Sequence, residues 1–348
     1  MKKRKKIGIL FLSLLLVVSG CVGCGTEATP YQDTDFAMGT VISQNIYGKQ
    51  GEETADQVMK RLKELEETIS WRIEGSEIAK INAAAGTGES VPVSEKTRKW
   101  LTDCQEVWKK TDQALDVTIG AVARLWDIGG ENPRIPESEE LEAALNTVGG
   151  ETYRVEKENV TYEAAGGQLD LGAVGKGIAC DEIAALLKAE KAEVNGTFSV
   201  GGSVLIYGKK LNGKNWKIGI RDPRGEEGEY MGSLSFAQEE GDCLFVSTSG
   251  DYEKYFEKDG VRYHHILDPK TGAPADSDLI SVTVISKSGF LSDALSTACF
   301  VAGKEKALEF SKLFQVDLVL IDKAGMVTVT EGAETAFERL NEEYGLEQ

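Results

Sequence analysis

Ala55, Val58, Met59, Leu62, Leu65 and Ile69 recur at helical spacing, which predicts a helix over 53–70 with one apolar stripe. A second helical stretch near 94–112 carries Trp100, Leu101, Cys104, Val107 and Trp108. Pro136-Glu137-Ser138 starts a helix over 137–147. Residues 173–190 read as a long helix that opens in the small-residue run GAVGKGIA, and helices over 291–301 and 303–313 lie near the C-terminus. Elsewhere the period falls to two. Residues 35–47 alternate and are rich in β-branched residues, which predicts one strand. Short strands fit 152–156 and 159–163, and residues 193–248 are strand-rich and punctuated by glycine. Residues 279–286 (LISVTVIS) form a strongly apolar strand, and two more fit 316–321 and 326–330. Hairpin-like strand runs dominate the second half. The fold class expected is therefore α+β, with mixed or antiparallel sheets packed with helices, rather than a doubly wound parallel sheet. No repeat or linker divides residues 35–348, which read as a single large domain.

The first twenty residues follow different rules. MKKRKK is a positive n-region and IGILFLSLLLVV an apolar stretch of 12 residues, too short for a comfortable membrane span and suited to a signal peptide. Val18-Ser19-Gly20-Cys21 then resembles a bacterial lipobox. That resemblance implies diacylglycerol on the Cys21 thiol, cleavage before it, and a lipid anchor on the extracytoplasmic face of the cell membrane. Residues 21–34 lack periodicity and read as a tether.

Charge narrows the partners. The 348 residues hold 39 basic and 57 acidic side chains, a net charge of −18. Five of the basic residues fall in the first twenty, so the remainder carries −23. That balance disfavours nucleic acid as a partner, because phosphate backbones need clustered Lys and Arg. His264 and His265 are the only two histidines, so a histidine-rich zinc centre is excluded. Cys104, Cys180, Cys243 and Cys299 are widely spaced in apolar patterns and read as buried thiols; one disulfide stays open in an oxidising compartment.

Four constellations can carry chemistry. Asp170-Leu-Gly-Ala-Val-Gly-Lys176-Gly enters a helix with exposed N–H groups and suits an anion, or is a close-packed helix entry. It is not a P-loop, since Asp170 and Gly177 stand where Gly and Ser or Thr are needed. In Ser292-Asp293-Ala-Leu-Ser296-Thr297, Asp293 and Thr297 are four apart on one helix face. Carboxylate and hydroxyl suit a hard cation such as Mg²⁺; alternatively Ser292 caps the helix and Asp293 meets its dipole. Ser247-Thr-Ser-Gly-Asp251 leads to Tyr263-His264-His265 and the turn Asp268-Pro-Lys-Thr-Gly272, which makes an acid/base pair or a hairpin rim. Upstream lie Met38-Gly-Thr40, Ser70-Trp71 and Ala114-Leu115-Asp116, where Trp71 can stack on a flat ring or fill the core.

In this order the segments strongly resemble the ApbE family of flavin transferases, over roughly residues 35–330. The matching stretches are Met38-Gly39-Thr40, SWRIEGSEIAKIN (70–82), LDVTIG (115–120), DLGAVGKG (170–177), VGG (200–202), STSGDYEKYF (247–256), HHILDPKTGAP (264–274) and DALSTA (293–298). Leu115, Val117 and Ala121 stand where the family often has Phe, Pro and Pro. The resemblance implies cleavage of the FAD pyrophosphate, transfer of FMN to a Thr or Ser hydroxyl of an acceptor protein, and release of AMP. It implies Mg²⁺ on Asp293 and Thr297, with the Ala173 carbonyl and Ser296. Met38, Trp71, Ala114, Leu115, Asp116, Asp170, Lys176 and Leu267 match positions around FAD, with Lys176 on phosphate oxygens. His265 is the candidate general base, His264 the runner-up. The acceptor implied is a flavoprotein of a membrane or extracytoplasmic electron-transfer chain. Two other readings use the same residues: an FAD-binding lipoprotein, or a Mg²⁺-dependent FAD pyrophosphatase with water in place of the acceptor.

Overall fold

The computed structural model describes residues 29–347; the leader, Cys21 and most of the tether lie outside them. The chain runs β1 (Tyr31–Ala37), β2 (Thr40–Tyr47), α1 (Gly51–Ile69), α2 (Glu77–Ala83), β3 (Ser90–Pro92), α3 (Glu95–Lys110), α4 (Gly120–Trp126), α5 (Ser138–Leu145), β4 (Tyr153–Val155) and β5 (Asn159–Tyr162). It continues through α6 (Gly175–Ala189), β6 (Asn195–Val200), β7 (Ser203–Tyr207), β8 (Trp216–Arg221), β9 (Tyr230–Phe236), β10 (Cys243–Gly250), β11 (Tyr255–Lys258) and β12 (Val261–His264). The last elements are β13 (Leu279–Ser286), α7 (Gly289–Ala302), α8 (Lys304–Phe314), β14 (Asp317–Asp322), β15 (Met326–Val329), α9 (Glu331–Glu334), β16 (Phe337–Arg339) and β17 (Gly345–Leu346).

Nine strands form one sheet in the order β1-β2-β6-β7-β10-β13-β14-β15-β17. Every pairing in it is antiparallel except β15 with β17. The α+β expectation is met. Helices α1, α6 and α7 cover one face of the sheet; the three-stranded sheet β16-β9-β8 shares an apolar cluster with the other. Strand β13 is buried along its whole length for that reason: Val282 and Val284 join the helix-side core, Ile280 and Ile285 the opposite one. The stripe of α1 is buried as its spacing predicts.

One expectation needs correction. Residues 35–47 are two strands, not one. Met38 and Gly39 both take positive φ (56° and 67°) and reverse the chain, pairing Ala37 with Thr40. A two-residue turn with a methionine at its first position interrupts the alternation too briefly to be read. Strand β1 also begins at Tyr31, inside the stretch read as tether. Helices α2 and α4 were not expected, being short elements whose apolar periodicity is brief; the β11–β12 hairpin answers to the hairpin rim, with His264 turned into the core. Cys104, Cys180, Cys243 and Cys299 are free thiols, the first, second and fourth fully in the core.

A satellite cluster supports the β11–β12 hairpin. Val122 and Trp126 of α4, Ala144 of α5 and Leu267 pack together, with Phe256 and Tyr263 of the hairpin against them. The Trp126 indole N–H donates to the Gly272 carbonyl at 2.7 Å, so this cluster holds the turn that comes after the two histidines.

Candidate functional site

Helices α6 and α7 cross at two glycines. A Cβ on Gly177 would lie 2.1 Å from the Gly289 carbonyl, and one on Gly289 would lie 2.3 Å from the Gly177 carbonyl. Only glycine permits that approach. The crossing brings the start of α6 to the second turn of α7, and there the DLGAVGKG and DALSTA segments meet. The Gly177 N–H donates to Asp293 Oδ2 at 2.9 Å, and Lys176 Nζ stands 3.3 Å from Asp293 Oδ1.

Asp293 is not a cap. Helix α7 begins at Gly289, with Ser288 as its N-cap, donated to by the Leu291 N–H. Asp181 of α6 receives the Gly289 and Phe290 N–H groups at 2.8 Å each. Burial raises the Asp181 pKa, and those two N–H groups oppose the rise. The first-turn donors are thus satisfied without Ser292 or Asp293. Asp293, only 1% exposed, instead points at α6 and receives a further hydrogen bond from the Ser203 hydroxyl at 3.2 Å.

The donor set here is all oxygen, as hard cations require. Thr297 lies one turn beyond Asp293 and is partly exposed, while its hydroxyl stands 3.4 Å from Ser249. Ser296 is fully buried; its hydroxyl donates to the Asp293 carbonyl at 2.8 Å and meets Ser249 at 2.7 Å. Of the two hydroxyls, Thr297 has the freer lone pairs. The Ala173 carbonyl precedes the N-cap of α6, and no hydrogen bond reaches it among the described residues, because the Gly177 N–H goes to Asp293. Those same residues include no group of three or more His, Cys, Asp or Glu suited to a metal. Asp293, Thr297 and the Ala173 carbonyl are oxygen donors of the kind Mg²⁺ takes, and only one of them is a carboxylate.

The expected flavin-side residues converge from distant segments. Asn82 of α2 brackets residue 169, donating to its carbonyl at 3.0 Å and accepting from its N–H at 2.7 Å. The Asp170 N–H reaches the Val117 carbonyl at 2.7 Å, and Gly120 packs against Gln168 so closely that a Cβ would sit 2.6 Å from its carbonyl. The 115–120 and 168–177 segments are therefore side by side. Ala114 and Leu115 are buried. Asp116 is buried too; Thr118 donates to it through both its N–H (2.8 Å) and its hydroxyl (2.6 Å). Burial still dominates and pushes its pKa up to about 6. The Met38 methyl lies 3.8 Å from where a Gly175 Cβ would stand, so the β1–β2 turn reaches the same place. Trp71 is partly buried against the core, with the Arg72 and Arg124 guanidinium groups 4.3 and 5.3 Å from its ring centroid.

The two histidines separate. His264 is buried, edge-on to Phe300, and its Nε2 pairs with the Ala275 carbonyl at 3.2 Å. Burial lowers its pKa, and it belongs to the core. His265 is exposed, and its Nδ1 lies 3.3 Å from the Lys254 carbonyl. A carbonyl only accepts, so the proton sits on Nδ1 and Nε2 keeps a free lone pair. Desolvation by surrounding protein, reinforced by Lys176 and Lys254, pushes the His265 pKa down to about 3. The imidazole is therefore neutral at pH 7. Sequence reasoning overlooked Ser203, Asp181, Asn82, Arg72 and Arg124. A serine at the start of an apolar strand was the only signal for Ser203.

Fold and site together define a class: an α+β protein in which two crossed helices present oxygen donors and a lysine at one point, beside a neutral histidine. The chain belongs to the ApbE family, whose model matches residues 38–320. It is 32% identical to the FAD:protein FMN transferase of Treponema pallidum (strain Nichols), over 91% of this chain and 90% of that one. It is likewise 32% identical to the enzyme of the same name from Haemophilus influenzae, over 96% and 97%. Among solved structures, the ApbE protein of Thermotoga maritima superposes with a TM-score of 0.81 at 32% identity, covering 88% of this chain and 99% of that one. The apo flavinyl transferase ApbE of Pseudomonas stutzeri gives 0.76 at 28% identity, covering 88% and 96%.

Proposed function

We propose that this protein is an FAD:protein FMN transferase that works with Mg²⁺. The reading rests above all on the α6–α7 crossing, which joins Lys176 and Gly177 to Asp293 from segments far apart in the chain. Family membership and relatives that carry this name support it. Asp293, Thr297 and the Ala173 carbonyl would hold Mg²⁺, with Ser296 supporting the site. Bound Mg²⁺ would neutralise pyrophosphate charge and stabilise the departing phosphate.

The chain's own groups do the rest. Met38, Trp71, Ala114, Leu115, Asp116, Asp170 and Leu267 bind FAD, with the isoalloxazine near Trp71 and Met38. Lys176 leaves Asp293 for the phosphate oxygens. His265 Nε2 accepts the proton of an acceptor Thr or Ser hydroxyl as its oxygen attacks the FMN-side phosphorus. The new P–O bond forms, the bond to the AMP phosphate breaks, and AMP leaves with that electron pair. His264, enclosed by Phe300 and Ala275, takes no part.

The N-terminal pattern supports a leader over 1–20, lipid on Cys21, and a tether placing the domain on the outer face of the cell membrane. There the acceptor would be a flavoprotein of an electron-transfer chain. The test is to incubate the purified protein with FAD, Mg²⁺ and a candidate acceptor, monitoring in-gel flavin fluorescence and AMP release. Labelled acceptor with one AMP per flavin is expected. Free FMN with AMP would make it a pyrophosphatase, and bound but intact FAD a binding protein.

A further inference from the structure

We propose that Ser203 is a positioning residue for Asp293, holding its carboxylate turned toward the cation; this rests on the metal-dependent function above. In the β7–β10 register Ser203 stands opposite Ser247. On the same face Leu205, Tyr207 and Phe245 lie in the apolar core, while Ser249 at the end of β10 meets Ser296 of α7. Ser203 and Ser247 are each only 1% exposed, and hydroxyls buried there are costly unless bonded. Ser203 donates to Asp293 Oδ1 at 3.2 Å, and Ser247 donates to Ser203 at 3.0 Å. Ser247 also meets Ser292 at 2.7 Å, but the Ser292 proton goes to the Gly289 carbonyl at 2.8 Å. Of these hydroxyl protons only that of Ser203 reaches the carboxylate.

The two oxygens are thus pinned differently. Oδ2 is held by the Gly177 N–H, Oδ1 by Ser203 and Lys176. Lys176 has a long, partly exposed side chain and leaves when phosphate arrives. Ser203 has one rotatable bond, sits on a strand and stays. The turn before it explains the VGG segment: Gly201 takes φ +56°, the Gly202 carbonyl receives the Thr248 N–H at 2.9 Å, and a Cβ on Gly202 would stand 2.9 Å from the Thr248 carbonyl. The glycines let Ser203 come level with Ser247 beneath α7.

The test compares the whole protein with its Ser203→Ala and Ser203→Cys variants. Mn²⁺ binding is measured by electron paramagnetic resonance without acceptor, and Mg²⁺ half-saturation from transfer rates. Both variants should bind Mn²⁺ ~10–100-fold more weakly, the usual effect of losing an outer partner of a metal ligand. Mg²⁺ half-saturation should rise by a similar factor, with the rate at saturating Mg²⁺ within a few-fold of wild type. Ser311→Ala removes a buried serine hydroxyl in α8, and it should melt lower yet bind Mn²⁺ normally. If Ser203→Ala does not fold, Ser203→Cys fills the same space with a poor donor and decides the matter. Wild-type Mn²⁺ affinity in the Ser203 variants overturns the positioning role and leaves the transferase reading intact. A wild type that binds no Mn²⁺ and transfers FMN in EDTA overturns the metal dependence, and the positioning role with it, while transfer itself stands.

Discussion

Asp293 faces three donors from two elements: the Gly177 N–H and the Lys176 ammonium of α6, and the Ser203 hydroxyl of β7. Asp293→Asn keeps an acceptor and the same volume but loses the charge. It should melt cooperatively while losing FMN transfer at ordinary Mg²⁺, read by melting temperature and in-gel fluorescence on one sample. Near-normal transfer in EDTA would remove the metal from the mechanism. At His265 the free Nε2 lone pair is the asset. His265→Gln should slow single-turnover transfer by ~10²–10⁴-fold with FAD affinity nearly unchanged. Because the ring is already neutral, with its pKa down to about 3, the wild-type rate should show no acid limb near pH 6.5. A ring stacking on Trp71 must displace one of its two guanidinium neighbours. Trp71→Ala should still weaken FAD by about 1 kcal/mol or more, measured by flavin fluorescence quenching.

At the scale of elements, the crossing of α6 and α7 governs both stability and chemistry. Gly177→Ala drives a methyl into the Gly289 carbonyl, backbone against backbone, so neither side yields cheaply. A cost of about 1–3 kcal/mol is expected from overpacking alone. The Ala173–Gly177 turn would also withdraw from Asp293, so transfer should fall beyond what the fraction unfolded explains. Comparing the melt with activity well below the transition separates the two effects. If activity tracks the folded fraction, the crossing is structural only.

The whole molecule carries a pH signature. His265 has a folded pKa below the 6.5 of the free ring, so the unfolded chain binds more protons between pH 6.5 and about 3. The stability it preserves is complete above 6.5 and is lost as pH falls through that window; His264 acts in the same direction. Asp116 opposes them: its pKa is raised to about 6, so the folded state binds more protons between 3.8 and 6. His265→Asn should therefore lose less melting temperature than wild type between pH 7 and 5. An identical loss would mean that the ring is not desolvated. At the N-terminus, Cys21→Ser should release the protein from the membrane fraction if the thiol carries lipid; equal partitioning would end the anchor proposal.

Patterning settles the elements that are long and one-sided. The α1 stripe and the apolar β13 segment were legible because periodic burial is written into residue order. The ordered motifs also showed which polar residues to watch. Other features were not legible. The turn at Met38 depends on a positive φ that methionine does not advertise. A serine before an apolar strand and a lone Asp at a helix start both read most simply as local punctuation. Only the packing of α6 on α7 over β7 and β10 made Asp293 the focus of donors 90 and 116 residues away. It also turned His264 into the core and left His265 exposed, because adjacent residues at a strand end face opposite ways and only the surroundings decide which side is solvent. Local periodicity arises from interactions within a few residues and survives in the sequence; a site assembled by chain crossings exists only once the chain has folded.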